Sequence, residues 1–357
     1  MEKLVIKDNF WKGKKVLLTG HTGFKGSWFT IFLKSLGANV IGISLEPEEK
    51  KNNLFFEANI KNYCNSIFCD IRDFNLLNNH IKKINPEIVF HFAAQALVRD
   101  SYRDPLKTFN TNTLGTANIL QSLSNIDSVR VAVFITTDKV YKNNDKTKSF
   151  KENDLLGGID PYSASKSASE IIISCYKDSL LKNKNINIAS ARAGNVIGGG
   201  DWSKDRLIPD IIRSWSQNNK VIIRNPKATR PWQHVLDPLN GYLNLAEKLW
   251  KNEASSGAYN FGPSVDGNLT VENILYIASS FYEKGSFLVE KDKDNFYEAK
   301  TLVLDSSKSK KILKVKCKLS IEDAIKKTFN WYKKYNLGEN AYNLCMKDLE
   351  FYKGIND

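Results

Sequence analysis

The stretch KVLLTGHTGFKGSWFTIFLKSLG, residues 15–37, carries two periodicities joined by a glycine-rich turn. Residues 15–19 form an apolar run suited to a buried strand. Residues 23–36 place apolar side chains at helical spacing until Gly37 stops them. Between the two lie Gly20, Gly23 and Gly26, in the spacing G-x-x-G-x-x-G. In a strand–turn–helix unit each glycine has its own task. Gly20 permits the tight turn, Gly23 lets backbone approach a pyrophosphate, and Gly26 lets the helix lie close to the sheet. The start of the helix then offers unpaired N–H groups and a positive dipole end to an anion. A dinucleotide site is the expectation.

Outward from this unit, the pattern repeats. Further strands are expected at 39–44, 66–69, 88–92, 131–136 and 186–191, and helices at 73–84, 105–124 and 161–181. Such alternation predicts an α/β fold with a doubly wound parallel sheet and right-handed crossovers. Ligands of such sheets lie beyond the carboxyl ends of the strands. After about residue 195 the loops lengthen, as in GGGDWSKDRLIP (198–209) and RNPKATRPWQH (224–234). Helices are expected at 208–216, 238–250, 271–282 and 321–335. The reading is a Rossmann domain over 1–195 that binds NAD, and mainly a smaller substrate-binding lobe over 196–357, tightly packed and partly interleaved with the first.

Composition narrows the function classes. The chain has 357 residues, 42% of them apolar, enough for a sizeable core. No run approaches the roughly 20 apolar residues of a membrane span, and MEKLVIKDNFWKGKK (1–15) has no long apolar stretch, so neither a membrane anchor nor a secretory signal is expected. Five cysteines without a CxxC pair suit a reduced cytoplasm better than disulfides or zinc. The net charge of +13 is spread along the chain without a nucleic-acid-binding motif. It reads as a solvated basic surface that assists capture of an anionic small molecule. His21 and His234 have no ligand partners at useful spacing, so no metal is expected.

The strand ends hold the chemistry. Ser44 closes the second strand, with Glu46 two residues on and no nearby arginine for a 2′-phosphate, which favours NAD over NADP. Asp70 in CDIRD (69–73) is placed either to accept from an adenine amine or to cap the next helix. Ala93 and Ala94 in HFAAQ (91–95) leave room for a cofactor lying across backbone, or for a close helix contact. In TTDKVY (136–141) a carboxyl and an amine, Asp138 and Lys139, stand together at the end of a buried strand, where neither would be left without a partner or a use. In DPYSASKSASE (160–170), Tyr162 and Lys166 are four apart and share a helix face. An ammonium there would pull the phenol below its usual value near 10 and let it take a proton from an alcohol. Lys166 also suits the hydroxyls of a nicotinamide ribose. Arg206 in DRLIPD (205–210) and Arg230 in RPWQH (230–234) suit a diphosphate, Asn195 suits a phosphate or sugar oxygen, and Trp232 reads as core.

Taken together, the glycine turn, HFAAQ, NTNTLGT (110–116), Thr137, YSASK (162–166) and ARAGNVIG (191–198) resemble the extended short-chain dehydrogenase/reductases. The likeness continues through LVLDSSKSKKIL (302–313) and SIEDAIKKTFNWY (320–332), nearly the whole chain. Within that superfamily GHTGFKGSW (20–28), TTDKVY, GGGDW (198–202) and RPWQHVLDPLNGYL (230–243) are similar to the CDP-glucose branch of the nucleotide-sugar 4,6-dehydratases. The resemblance implies that Phe24, Ile71, Gln95 and Asn112 join Gly20, Gly23, Gly26, Ser44, Asp70, Ala93, Ala94, Tyr162 and Lys166 around NAD. It implies that Leu207 joins Asn195, Arg206 and Arg230 around a nucleotide diphosphate sugar. Thr137 would bond the sugar C4 oxygen and Asp138 would protonate the departing C6 hydroxyl. Lys139 would occupy the position of the C5 base, for which it must be neutral, or would steady an enolate as a cation. A homodimer through the helices at 105–124 and 161–181, and a deoxysugar product for a surface polysaccharide, are also implied. Two readings compete: a nucleotide-sugar 4-epimerase, in which small residues replace the Asp138–Lys139 pair, and a non-catalytic NAD-binding protein, which would need none of Thr137, Tyr162 and Lys166.

Overall fold

A computed structural model of the chain describes residues 10–143, 149–263, 268–282, 285–290, 296, 297, 299 and 301–355. Residues 1–9, which bear on the expected lack of a secretory signal, lie outside the described residues. Seven strands form one parallel sheet: β1 (Lys15–Thr19), β2 (Asn39–Ser44), β3 (Asn65–Phe68), β4 (Ile88–His91), β5 (Val131–Ile135), β6 (Asn187–Ala193) and β7 (Gly257–Phe261). Their order is β7-β6-β5-β4-β1-β2-β3. The chain runs outward from β1 through β3, then crosses back to place β4 on the other side of β1, so the sheet reverses direction between β1 and β4. A crevice opens at that point beyond the carboxyl ends.

Because successive side chains alternate faces, the central strands feed two cores. Val16, Leu18, Ile88, Phe90, Val131, Val133, Ala189 and Ala191 enter one buried cluster, while Leu17, Val89, Ala132, Phe134 and Ile188 enter the other. The first cluster also takes in Trp28, Phe29, Leu239, Tyr242, Ile325 and Trp331, so residues from both ends of the chain share one core.

The six expected strands are all present, within two residues of the expected bounds. Strand β7 was not expected. GAYNF is short, begins with glycine and has no clear alternation, and only its parallel register against β6 makes it a strand. The helix expected over 105–124 is Pro105–Phe109 and Gly115–Ser124 joined by a π-helical turn at Asn110–Leu114; the one over 161–181 is Pro161–Cys175 followed by a π-helical turn at Tyr176–Leu180. Helices Val98–Arg103, Ser307–Leu313 and Ala341–Gly354 were also unforeseen. No described helix is long and apolar enough to cross a membrane.

Two of the three turn glycines are required by the fold itself. Gly20 has φ +77°, and a Cβ there would lie 2.6 Å from the Ala93 nitrogen at the end of β4. On Gly26 it would lie 2.0 Å from the Gly20 carbonyl oxygen, on the underside of helix Phe24–Ser35. Gly26→Ala therefore forces the helix off the sheet. The expected cost is about 1–3 kcal/mol of stability, as for other overpacked sites. A thermal melt matching the wild type would contradict this packing.

Candidate active site

The crevice between β1 and β4 widens into a cavity of about 770 Å³, near the upper end for small-molecule sites. Its floor is the glycine turn. Gly20 N–H donates to the Ile43 carbonyl at 2.8 Å and Gly23 N–H to the Gly20 carbonyl at 3.1 Å, which fixes the start of helix Phe24–Ser35 beneath the cavity. The only atom within 4 Å of a Cβ built on Gly23 is the Gly20 oxygen, at 3.5 Å. The fold itself does not demand glycine there, and Gly23 opens onto the cavity.

Ser44, Asp70, Ile71, Ala93, Ala94 and Gln95 line one arm of the cavity, with Phe24 at the turn. The Ser44 hydroxyl is tied to that of Thr22 at 2.7 Å. Asp70 is not the helix cap, which is Asp73, whose carboxylate accepts from Leu76 N–H at 3.0 Å. Instead Arg72 grips Asp70 with Nε at 2.9 Å and Nη2 at 2.5 Å, and this bonding holds the carboxyl below its ordinary range. Asn112 lies behind the wall rather than on it. Buried in the π-helical turn, its side-chain oxygen accepts from Gln95 N–H at 2.8 Å, and its amide donates to the Gln95 carbonyl at 3.0 Å and to Ser165 Oγ at 2.9 Å. It clamps the loop after β4 to helix Pro161–Cys175, so its action on a ligand is indirect.

Thr137, Asp138, Lys139, Tyr162 and Lys166 converge on the middle of the cavity. Helix Pro161–Cys175 starts where it does because Asp160 caps it, accepting from Ser163 N–H at 2.9 Å, with Pro161 pre-set at the first position. That start puts Tyr162 in the first turn, where its phenol faces the Thr137 side chain. Thr137 Oγ1 donates to Asp138 Oδ1 at 2.9 Å. The other Asp138 oxygen is buried with no hydrogen-bond partner, and burial pushes this carboxyl up, against the pull of Lys139. Asp138 and Lys139 make no ion pair with each other, so they do not simply close the turn.

The Tyr162 phenol differs from expectation. Burial, reinforced by Asp138, holds it up at about 12. Lys166 Nζ donates to the Ile135 carbonyl at 3.0 Å rather than to the phenol. The lysine is itself brought down to about 8 by burial. The two side chains share a helix face as the spacing predicts, but the protein alone keeps the phenol protonated.

Asn195, Arg206, Leu207 and Arg230 line the opposite arm. Arg206 pairs with Asp201 at 3.1 Å, and Arg230 is buried and acts electrostatically on Asp138. Trp232 is mostly core, its indole N–H on the Leu269 carbonyl at 3.1 Å. His21 and His234 are buried and desolvation pushes both down, to about 4 and about 3. Among the described residues no cluster of metal-ligating side chains occurs.

Lys25 was overlooked in the sequence. It lines the cavity, feels Arg206, Lys166, Asp138 and Asp201, and burial brings it down to about 8. Among the described residues it makes no hydrogen bond or ion pair. A lysine inside FKGSWFTIFL, a helix otherwise apolar or small at its start, was the available signal. Arg99 and Arg224 also reach the cavity, sharing Asp205 at 3.7 and 3.1 Å, and no sequence pattern marked them. Because Lys25 is unpaired, Lys25→Met is expected to leave the melting temperature nearly unchanged. It should weaken binding of a nucleoside diphosphate by about 5- to 20-fold in calorimetry, the size of one charge-assisted contact. Unaltered affinity would remove Lys25 from the anion site.

Comparison with known proteins places this geometry in a family. Residues 17–328 match the family model described as GDP-mannose 4,6 dehydratase. The chain is 41% identical over 355 residues to the CDP-glucose 4,6-dehydratase of Salmonella typhimurium, covering 98% of each. It is 25% identical to the UDP-glucose 4-epimerase of Mycoplasma genitalium, over 92% of this chain and 97% of that one. Among solved structures, the dTDP-glucose 4,6-dehydratase of Bacillus anthracis in complex with NAD superposes with a TM-score of 0.74 at 21% identity, over 89% and 96% of the two chains. The UDP-glucose 4-epimerase of Thermotoga maritima does so with 0.78 at 22%, over 90% and 99%. With its glycine turn, its Tyr162–Lys166 helix and its seven-stranded parallel sheet, the chain belongs to the GDP-mannose 4,6-dehydratase family of the extended short-chain dehydrogenase/reductases.

Proposed function

We propose that this chain is an NAD-dependent CDP-glucose 4,6-dehydratase, a hydro-lyase that converts CDP-glucose to CDP-4-keto-6-deoxyglucose and water. The carrying observation is the identity of 41% along 98% of the Salmonella enzyme. It is joined by a carboxyl and an amine, Asp138 and Lys139, beside the Thr137–Tyr162 hydroxyl pair in one cavity. The cavity fits a dinucleotide at one arm, where Gly23 is open and helix N–H groups face in. The cations Lys25, Arg206 and Arg230 of the other arm suit the diphosphate of a sugar nucleotide.

NAD, when bound, supplies a hydride acceptor that later becomes a hydride donor. The positive charge of NAD would favour the phenolate that the protein alone does not hold, and Tyr162 then takes the proton of the sugar C4 hydroxyl, with Thr137 bonded to the same oxygen, as the C4 hydrogen is given up as hydride. The C4 ketone makes the C5 hydrogen acidic. Asp138, kept protonated by burial, gives its proton to the C6 hydroxyl, which leaves as water. Lys139, from the same turn, either accepts the C5 proton or stands as a cation against the enolate. Hydride held by the cofactor would then be returned to C6 as a proton is added at C5, the proton taken up by Tyr162 passes through solvent to restore Asp138, and the sum is loss of one water with no net oxidation.

The same reading includes a homodimer. Leu106, Phe109 and Leu114 on Pro105–Ser124 and Ile171 and Leu180 on Pro161–Leu180 are exposed apolar side chains. A second copy would bury them in a two-fold contact. All five cysteines are free, which suits a reduced compartment such as the cytoplasm. We place the product on a route to deoxysugars of a surface polysaccharide.

Incubation of the protein with CDP-glucose and NAD in deuterated water tests the reading by NMR of the product. A C6 methyl with deuterium at C5 is expected; a C4 epimer would indicate an epimerase, and unchanged sugar would contradict the assignment. Tyr162→Phe should lower kcat by about 10²-fold or more, the usual worth of a positioned base, while NAD still binds. Lys139→Ala should allow C4 oxidation, read as reduced nicotinamide absorbance, but block water loss. Full dehydration in that variant would remove the lysine from the mechanism.

A further inference from the structure

Directly behind Tyr162 and Lys166 lies a buried ion pair that the mechanism above does not use. Glu170 stands one turn beyond Lys166 on helix Pro161–Cys175, and Arg192 lies on β6; each side chain is 4% exposed. Arg192 Nε and Nη2 donate to the two Glu170 oxygens, both at 2.9 Å. Thr136 Oγ1 donates to one of those oxygens at 2.6 Å and Ser190 Oγ to the other at 2.7 Å. Four donors thus fill the four lone-pair positions of the carboxylate. Arg192 Nη1 continues to the Tyr141 hydroxyl at 2.9 Å, which donates to Asn260 Oδ1 on β7 at 2.6 Å.

This network meets the catalytic turn at consecutive residues. Ile135 accepts from Lys166, Thr136 donates to Glu170, and Thr137 faces Tyr162. Residues 162, 166 and 170 are one helix face, so the end of β5 meets that face at three successive positions, two of them hydrogen-bonded. Among the described residues no carboxylate is hydrogen-bonded to the Lys166 ammonium. The negative charge that raises its proton affinity against burial is that of Glu170, acting through space while its oxygens are held elsewhere. Two buried cations, Lys166 and Arg192, share one anion.

We propose that Glu170 is a positioning residue for this reaction, serving as the counter-charge to Lys166 and, through Thr136, fixing the turn that carries Thr137 and Asp138. The inference rests on the NAD-binding reading of the site. A buried amine left without a counter-charge tends to lose its proton. Lys166 would then hold neither an ionised phenol nor ribose hydroxyls. Other groups near Lys166 are Tyr162, Lys25 and His91. His91 is held down at about 3 by burial and stays neutral. Lys25 titrates near the same range, but the charges it feels are Arg206, Lys166, Asp138 and Asp201, not Glu170. A transition that moves on loss of Glu170 therefore belongs to Lys166.

The sign follows. Lys166 is cationic below about 8, and losing Glu170 lowers that limit. NAD affinity, measured by calorimetry across pH without sugar nucleotide, should fall at lower pH in Glu170→Gln, by roughly one pH unit or more for a lost buried counter-charge. Because that variant leaves Arg192 bare, Glu170→Gln is also combined with Arg192→Gln; the double variant removes both charges of the pair, leaves only Lys166 without its counter-charge, and should show a smaller downward move. Arg192→Gln alone leaves Glu170 to Lys166 and should move the limb upward. The alkaline limb of kcat should follow in each case. An NAD-binding limb at the wild-type pH in the double variant, or a downward move in Arg192→Gln alone, would overturn the inference. Wild-type protein that binds no NAD would instead overturn the function itself.

Discussion

A single line of contacts orders the site: three consecutive residues at the end of β5, Ile135, Thr136 and Thr137, each meet one of three helix residues spaced four apart, Lys166, Glu170 and Tyr162, the first two through hydrogen bonds. Backbone and side chains of a strand end are thereby locked to the face of a helix. Any slip of the helix by one residue would rotate its face by about a quarter-turn or more and break all three. The remaining site elements hang on this seam. The turn at 138–140 starts from Thr137, whose oxygen accepts from Lys139 N–H at 3.3 Å, and Asn112 and Ser165 brace the same helix against the loop after β4.

The seam also explains an electrostatic contrast. Asp138 and Glu170 are both buried carboxyls beside the end of the same strand, yet they move in opposite directions. Glu170 accepts four hydrogen bonds, two of them from one guanidinium, and is held below the usual range. Asp138 has one donor, one bare oxygen, and is pushed up. The first is held as a fixed charge, and the second suits the proton donor proposed for it. Environments that pull like groups apart are what separates structural from acid–base roles.

Much of this was legible in the sequence, for physical reasons that can be named. Short-range periodicity gave six sheet strands and the helices beside them, and the glycines of 20–26 were readable because backbone clash leaves no alternative at Gly20 and Gly26. Tyr162 and Lys166 were visible because an interval of four fixes a shared face. What escaped depends on pairing across the chain. Strand β7 exists only through β6, and Arg192 meets Glu170 only because β6 passes behind the helix. Asp70 meets Arg72 two residues away, but both capping and adenine readings ignored that short loop. The phenol was read from its neighbour in sequence, whereas burial and the Ile135 carbonyl decide where Lys166 points.

The central claim is that oxidation at C4, loss of water and reduction at C6 occur on one sugar within one cavity. The most direct measurement is the fate of a deuterium placed at C4 of CDP-glucose and turned over in a mixture with unlabelled sugar. The label should reappear at C6 of the same molecule that carried it at C4. Label lost to solvent, released with the cofactor, or scattered onto unlabelled sugar would contradict it.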